Sequence, residues 1–395
     1  MIFKTIFWII VVLVIYTYIG YTFLLWICSA VKKLFQKSLN NPVNAEFYPE
    51  ITIVIAAYNE EEYIHEKIAN TQNLNYPKDK IKQVWVNDGS SDKTSDILKQ
   101  HPDILLINNE HRSGKSTSLN IAMKQVSTPY TIFSDANAML HPDAIIEVLK
   151  PFNDSKVGCV AGQKKILWKT DDNSASKGEG IYWQYESYIK QLESSIGSTL
   201  SATGELYAIK TELFHPIAGD TILDDFEISA NIALNGYRVK FAGKAIATES
   251  GSANIAEEAK RKVRIAAGDF QSLKRNILLI NPFKNFELAF KFISHKLLRW
   301  IIVPPALLLL PLLNLIILLK NFSNPIYLTT FFLLIGFYLL CLIGYLLRNR
   351  KNAPSPLIFP YYLFMMNMSI IKGFARFLQN RQNTLWVKAK RKTNF

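Results

Sequence analysis

The chain is 395 residues long, 49% hydrophobic and 19% charged, with a formal net charge of +13. Four stretches carry no charged side chain: Ile6 to Val31, Trp300 to Leu319, Pro325 to Leu347 and Ala353 to Ile371. Roughly 20 apolar residues in helix cross a hydrocarbon core, so a purely soluble protein is excluded. A secretory signal is a poor reading of the first stretch, because such signals have an apolar run of about 7–15 residues and no small-residue cleavage site precedes Val31.

The placement of charge excludes a second class. Eleven Lys or Arg and no Asp or Glu follow Trp300, and once Lys4 is set aside the residues from 32 to 299 are nearly neutral. A nucleic-acid reader carries its excess charge on the folded domain. Here the excess flanks apolar segments, where anionic headgroups and the positive-inside rule account for it. Cys28, Cys159 and Cys341 offer neither a disulfide framework nor metal-ligand spacing, which suits a reducing cytosol.

In chain order, residues 1–31 read as a membrane helix and 32–50 as a connector with Asn40, Asn41, Pro42 and Asn44. From 51 to 280, short apolar runs alternate with helical segments. Strands are expected over Ile51–Ala56, Ile81–Val86, Ile104–Ile107, Tyr130–Phe133 and Val157–Ala161, and helices over Glu60–Asn70, Lys93–Lys99, Thr117–Val126 and Pro142–Leu149. This alternation predicts an α/β fold with a mostly parallel, doubly wound sheet and ligands at the carboxyl ends of its strands. Residues 281–299 mix Phe286, Leu288, Phe290, Phe292 and Ile293 with Lys291, His295, Lys296 and Arg299, a composition suited to a helix lying on a membrane surface. Residues 300–371 hold two spans and a third apolar stretch. Pro354, Pro356 and Pro360 make that stretch a broken or interfacial segment in preference to a span, and 372–395 form a basic tail ending in Lys388 to Lys392. Lys32, Lys33 and Lys37 after the first span place the 51–280 block on the cytosolic side and the amino terminus outside. An interfacial third stretch keeps the basic tail cytosolic.

The expected strand ends carry Ala57-Tyr58-Asn59-Glu60-Glu61, Asn87-Asp88-Gly89-Ser90-Ser91-Asp92 and Ser134-Asp135-Ala136-Asn137, which open on one crevice. In this order the motifs resemble inverting family 2 glycosyltransferases of the GT-A (Rossmann-like) fold. The resemblance is strongest to the membrane-embedded group that includes cellulose, hyaluronan and poly-N-acetylglucosamine synthases, and it covers roughly residues 51 to 275. It implies that Ala57, Tyr58 and Glu60 form a nucleotide-facing turn, that Asp88 contacts uracil or ribose, and that Lys115 of Ser-Gly-Lys-Ser lies near the diphosphate. Asp135 and Asn137 occupy the DxD position and would hold Mg²⁺ or Mn²⁺. Asp225, in Leu223-Asp224-Asp225-Phe226-Glu227, would be the catalytic base. Thr203, Gly204 and Glu205 would face the acceptor, and Arg264 the diphosphate. Two departures stand out: Asn137 is neutral, and Arg261-Lys262-Val263-Arg264-Ile265 lacks the Trp of the family's Gln-x-x-Arg-Trp. Trp168, Tyr182 and Trp183 are candidate replacement sugar platforms.

The chemistry asks for such residues. An acceptor hydroxyl attacking an anomeric carbon must lose its proton to a carboxylate within hydrogen-bond reach. The departing diphosphate gathers negative charge that a divalent cation and a lysine stabilise. Mg²⁺ accepts one or two protein carboxylates when phosphate oxygens complete its shell. Plainer readings exist for each piece. Asp88-Gly89-Ser90 alone is an ordinary turn, and Asp224 and Asp225 suit a helix amino terminus. Ser113-Gly114-Lys115-Ser116 has Asn109 where a phosphate-binding Walker loop needs glycine.

The reading is therefore a multi-pass inner-membrane enzyme with its catalytic domain in the cytosol. It would use a UDP-sugar and Mg²⁺ or Mn²⁺ to form a β-glycosidic bond, most simply as a polysaccharide synthase of the poly-N-acetylglucosamine or cellulose type. Its partners would be the donor, a glycan or lipid acceptor and membrane lipids, with no nucleic acid; a partner subunit or second copy is left open. Two alternatives stand beside it. The missing Trp and the few spans suit transfer of a single sugar to a membrane lipid, and Asn137 suits a non-catalytic scaffold subunit.

Overall fold

A computed structural model describes residues 1–35, 48–167, 174–320, 322–348, 350 and 354–380. Lys37, the Asn40–Asn44 connector, Trp168, Ala353 and the tail with Lys388–Lys392 lie outside the described residues. Helices α1 (Ile2–Ile15) and α2 (Tyr21–Phe35) run together through a π-helical turn at Tyr16–Gly20. There follow β1 (Ile51–Ala57), α3 (Glu61–Gln72), β2 (Ile81–Asp88), α4 (Thr94–Lys99), β3 (Leu105–Asn109), α5 (Lys115–Met123), β4 (Tyr130–Phe133), β5 (Met139–Leu140) and α6 (Ala144–Leu149). The second half of the domain is β6 (Val157–Leu167), α7 (Ser174–Ile196), β7 (Tyr207–Lys210), α8 (Asp224–Leu234), β8 (Arg238–Ser250) and α9 (Ile255–Arg275). Then come α10 (Phe286–Phe292), α11 (Leu298–Ile301), α12 (Val303–Lys320), α13 (Pro325–Leu347) and α14 (Ser355–Leu378).

The strands form one sheet in the order β3-β2-β1-β4-β7-β6-β8-β5. Strands β3, β2, β1 and β4 are mutually parallel, as are β6 and β8, whereas β7 and β5 run antiparallel to their neighbours. Alternation along β1 makes the sheet two-sided: Ile51, Ile53 and Ile55 enter one buried cluster with Trp85, and Val54 enters the other with Val86, Phe133 and Tyr207. Insertion of β7 between β4 and β6 brings the loop before it, with Thr203, Gly204 and Glu205, to the carboxyl end of β4.

Among the described residues four helices are long and apolar enough to cross a membrane: Ile2–Phe35, Val303–Lys320, Pro325–Leu347 and Pro356–Leu378. The third apolar stretch of the sequence is one continuous helix, with Pro356 in its first turn and Pro360 accommodated inside it. It is the least hydropathic of the four, at 1.2 against 2.1 to 2.4, and it lies along α9: Tyr362 reaches Glu258, and the Phe374 ring packs at a tilt against Phe270. The 286–301 segment also departs from the surface-helix picture. Phe286 is exposed, but Lys291, His295 and Arg299 turn inward onto Glu287, Glu193 and Glu186.

Gly373 allows the close approach of α14 to α9, since a methyl there would stand 2.5 Å from Ala266 Cβ and 2.9 Å from the Ala267 nitrogen. Gly373→Leu is expected to cost about 1–3 kcal/mol through overpacking, read as a lower melting temperature in detergent. Gly336→Leu on α13, where nothing lies within 4 Å, should leave it unchanged.

Candidate active site

The carboxyl ends of β1 and β2 are clasped together. Asn59, at φ 52°, donates its N–H to Ser90 Oγ at 3.0 Å, and its Oδ1 accepts the Ser91 N–H at 2.8 Å. The Glu60 N–H donates to Thr94 Oγ1 at 2.8 Å. Ala57 is buried at the end of β1 in register with Asn87, and the Tyr58 ring lies under the Arg112 guanidinium at 3.7 Å. Gly89 must be glycine: its φ is +66°, and a methyl there would meet the Arg112 nitrogen at 2.6 Å.

Asp88, at the end of β2, reaches across to the loop that opens α5. Its carboxylate accepts the Ser113 N–H at 2.8 Å, Ser113 Oγ–H at 2.7 Å, the Gly114 N–H at 2.8 Å and Asn109 Nδ2–H at 3.3 Å. Burial opposes its charge, but these donors outweigh burial and hold the carboxyl below the usual range. Lys115, the first residue of α5, is thereby aimed at the next two carboxylates. Its ammonium lies 2.7 Å from Asp135 Oδ1 and 3.2 Å from Asp224 Oδ2. Burial again opposes the charge, and Asp135 and Asp224 prevail, holding the lysine well above its ordinary value.

Asp225 begins α8 beside Asp224. Burial and then the charge of Asp224 push its carboxyl up to about 7; Glu205 adds to the rise, and Lys115 together with the Phe226 N–H, which donates to Oδ1 at 2.8 Å, pulls the other way. A carboxylate that titrates near neutrality beside a lysine-bridged acid pair suits proton abstraction. Lys190 of α7 and Arg264 and Asp269 of α9 also feel the Asp225 charge. Burial and then Arg261 lower the Arg264 guanidinium to about 10, with Asp224, Asp135 and Asp225 partly restoring it.

Gly204 brings the Thr203-Gly204-Glu205 loop against this cluster, since a methyl on it would stand 3.2 Å from Lys115 Nζ and 3.4 Å from Asp135 Oδ2. Ser134 Oγ–H donates to the Glu205 carbonyl at 2.9 Å, and Thr203 Oγ1 is buried without a hydrogen-bond partner. Glu227 takes no part in this cluster; it accepts Asn276 Nδ2–H at 2.9 Å and fixes α8 to the end of α9.

Among the described residues no group of three or more His, Cys, Asp or Glu could hold a metal unaided. Asp135, whose side chain is 27% exposed, and the buried Asn137 offer one carboxylate and one amide oxygen. That donor set fits a hard divalent cation whose remaining ligands are phosphate and water oxygens.

The structure thus gathers Ala57, Tyr58, Glu60, Asp88, Lys115, Asp135, Asn137, Gly204, Glu205 and Asp225 around one sheet edge, with Arg264 in the same electrostatic field. The sequence reading missed Arg112 and gave Ser113 no contact of its own, and it offered Asp224 a place at a helix amino terminus, whereas Asp224 is the second carboxylate on Lys115. It also missed Lys164. The available signal was a lysine at an inward position of β6, flanked by Gln163 and Lys165.

Residues 52–211 match the sequence profile described as Glycosyl transferase family 2. The chain is 28% identical over 279 residues to the poly-beta-1,6-N-acetyl-D-glucosamine synthase of Staphylococcus aureus strain COL, covering 67% of this chain and 66% of that protein. It is also 28% identical over 255 residues to the synthase of the same description from Staphylococcus epidermidis ATCC 35984, covering 62% and 60%. The matches thus span slightly less than two thirds of these relatives. Among solved structures, the mannosyltransferase PcManGT from Pyrobaculum calidifontis, in complex with GDP-Man and Mn²⁺, superposes with a TM-score of 0.69 at 22% identity, covering 95% of this chain and 99% of that one. Over residues 52–211 the chain is therefore similar to glycosyltransferase family 2, and its α/β domain has the GT-A fold and is set between apolar helices.

Proposed function

We propose that the protein is a membrane-bound inverting glycosyltransferase that uses a UDP-sugar to extend a glycan by β-linkages, as a polysaccharide synthase of the poly-N-acetylglucosamine or cellulose type. The observation that carries the reading is Asp225, a carboxylate raised to about 7 next to the Lys115–Asp135–Asp224 bridge. Its likeness to the staphylococcal synthases supports the choice of a polymer over other products.

In this reading Asp88 and the Tyr58–Arg112 stack take the nucleoside end of the donor, and Lys115 faces its diphosphate. The Thr203-Gly204-Glu205 loop presents the acceptor, whose hydroxyl satisfies the orphan Thr203 Oγ1. Asp225 takes the proton as that oxygen attacks the anomeric carbon from the face opposite the diphosphate, so the configuration inverts. Mg²⁺ or Mn²⁺ held at Asp135 and Asn137 supplies Lewis-acid charge to the leaving group when bound. The domain faces the cytosol beneath the inner membrane: Lys32, at the end of the first apolar helix, donates to the Ser195 carbonyl at 2.8 Å and so ties the basic end of that helix to the catalytic side.

Purified protein given UDP-[¹⁴C]-sugars with Mg²⁺ or Mn²⁺ should yield high-mass product. A chloroform-soluble product would instead assign a lipid acceptor, consistent with Ile265 standing where an aromatic was expected, and no transfer would leave a scaffold role. Asp225→Asn should lower turnover by about 10²- to 10⁴-fold while UDP affinity by calorimetry stays within about twofold; unchanged turnover removes Asp225 as the base.

The pH profile gives a separate check. Because the Asp225 carboxyl is raised to about 7, it is protonated and unable to accept a proton at lower pH. The rate should therefore fall on acidification through about 7, and a flat profile down to pH 5 contradicts the assignment.

A further inference from the structure

Buried ion pairs run from the acceptor loop to the last helix. Lys164 on β6, 4% exposed, donates to Glu205 Oε1 at 2.6 Å, pairs with Glu249 of β8 and lies 3.8 Å from Glu179 of α7. Arg261 of α9 joins Glu179 to Glu249 at 3.5 Å and to Glu258 at 3.2 Å. Glu258 accepts Tyr362 Oη–H of α14 at 3.0 Å. Glu179, Glu249 and Glu258 are fully buried, and Glu205 is nearly so. In such a setting removal of one partner leaves an uncompensated charge, whereas a well-packed apolar cluster of the same volume is often as stable or more so. Stability alone therefore does not call for the lattice; placing one particular carboxylate does.

The carboxylate with a place to hold is Glu205. Its backbone carbonyl is held by Ser134, and at its neighbour Gly204 an added methyl would stand 3.2 Å from Lys115 Nζ, so the loop backbone is closely flanked, and Lys164 fixes the side chain. We propose that Lys164 is a positioning residue for acceptor recognition, holding the Glu205 carboxylate toward the acceptor and, through Arg261 and Glu258, tying that loop to Tyr362 on α14. The inference rests on the reading of Thr203-Gly204-Glu205 as the acceptor loop.

The test uses the full-length protein in lipid nanodiscs with UDP-N-acetylglucosamine and N-acetylglucosamine oligosaccharides. Lys164→Met should raise the acceptor KM at least about tenfold with the donor KM within about twofold, and Lys164→Arg should restore most of the loss. Glu205→Gln should show the same acceptor defect. If Glu205→Gln leaves the acceptor KM unchanged, the acceptor-loop reading is wrong. If it raises that KM and Lys164→Met does not, the positioning role is wrong and the loop reading stands. The double variant removes both charges together and guards against misfolding of Lys164→Met; it should be no worse than Glu205→Gln alone, and additive losses overturn the proposal. Independently of turnover, hydrogen exchange over residues 199–206 should quicken in Lys164→Met, and unchanged protection also overturns it.

Discussion

The site is organised by one partly buried ammonium. Asp135, Asp224 and Asp225 come from two elements far apart in sequence, and their mutual repulsion in a desolvated cleft would disperse them without a cation among them. Lys115 supplies it at 2.7 Å and 3.2 Å from the first two. Its own position is set from below, because Asp88 gathers the Ser113 and Gly114 amides and so fixes the start of α5. The end of β4 and the start of α8 are thereby joined through a single side chain. The third carboxylate is left only partly compensated, which is why Asp225 rises to about 7 while Asp88, with four hydrogen bonds to its charged form, falls.

The part of this that was legible in the sequence is the part written in contiguous motifs. Strand-end clusters such as Asp88-Gly89-Ser90 and Asp135-Ala136-Asn137 announce themselves because a parallel sheet delivers consecutive strand ends to the same edge. Strand β4 falls on Tyr130–Phe133 as expected, and β1 and β2 run one or two residues beyond their expected ends. Strand β5, at two residues, is too short to show a pattern, and β8 carries polar residues through its length.

Ion pairs were illegible for a different reason. Lys164 meets Glu205 across 41 residues and Arg261 meets Glu179 across 82, and no local spacing encodes such meetings. The same cause misdirects the surface-helix reading of residues 281–299. Lys291, His295 and Arg299 look like groups for lipid headgroups until Glu186 and Glu193 arrive from α7, about a hundred residues upstream, to pair with His295 and Arg299 indoors.

The course of α14 bears on how the domain meets the bilayer. Tyr362 meets Glu258, Gly373 meets Ala266 and Ala267, and Phe374 and Phe377 meet Phe270, so α14 and α9 advance side by side in the same direction. Helix α9 carries Arg261, Lys262 and Arg264 and belongs to the catalytic domain. A helix that spans lipid leaves such a partner behind within a turn or two, since charged side chains at the bilayer centre are costly. A helix at the membrane surface can keep one face on α9 and offer the other to lipid. The low hydropathy of α14 beside α12 and α13, and its buried Asn367 and Ser369, agree with that placement.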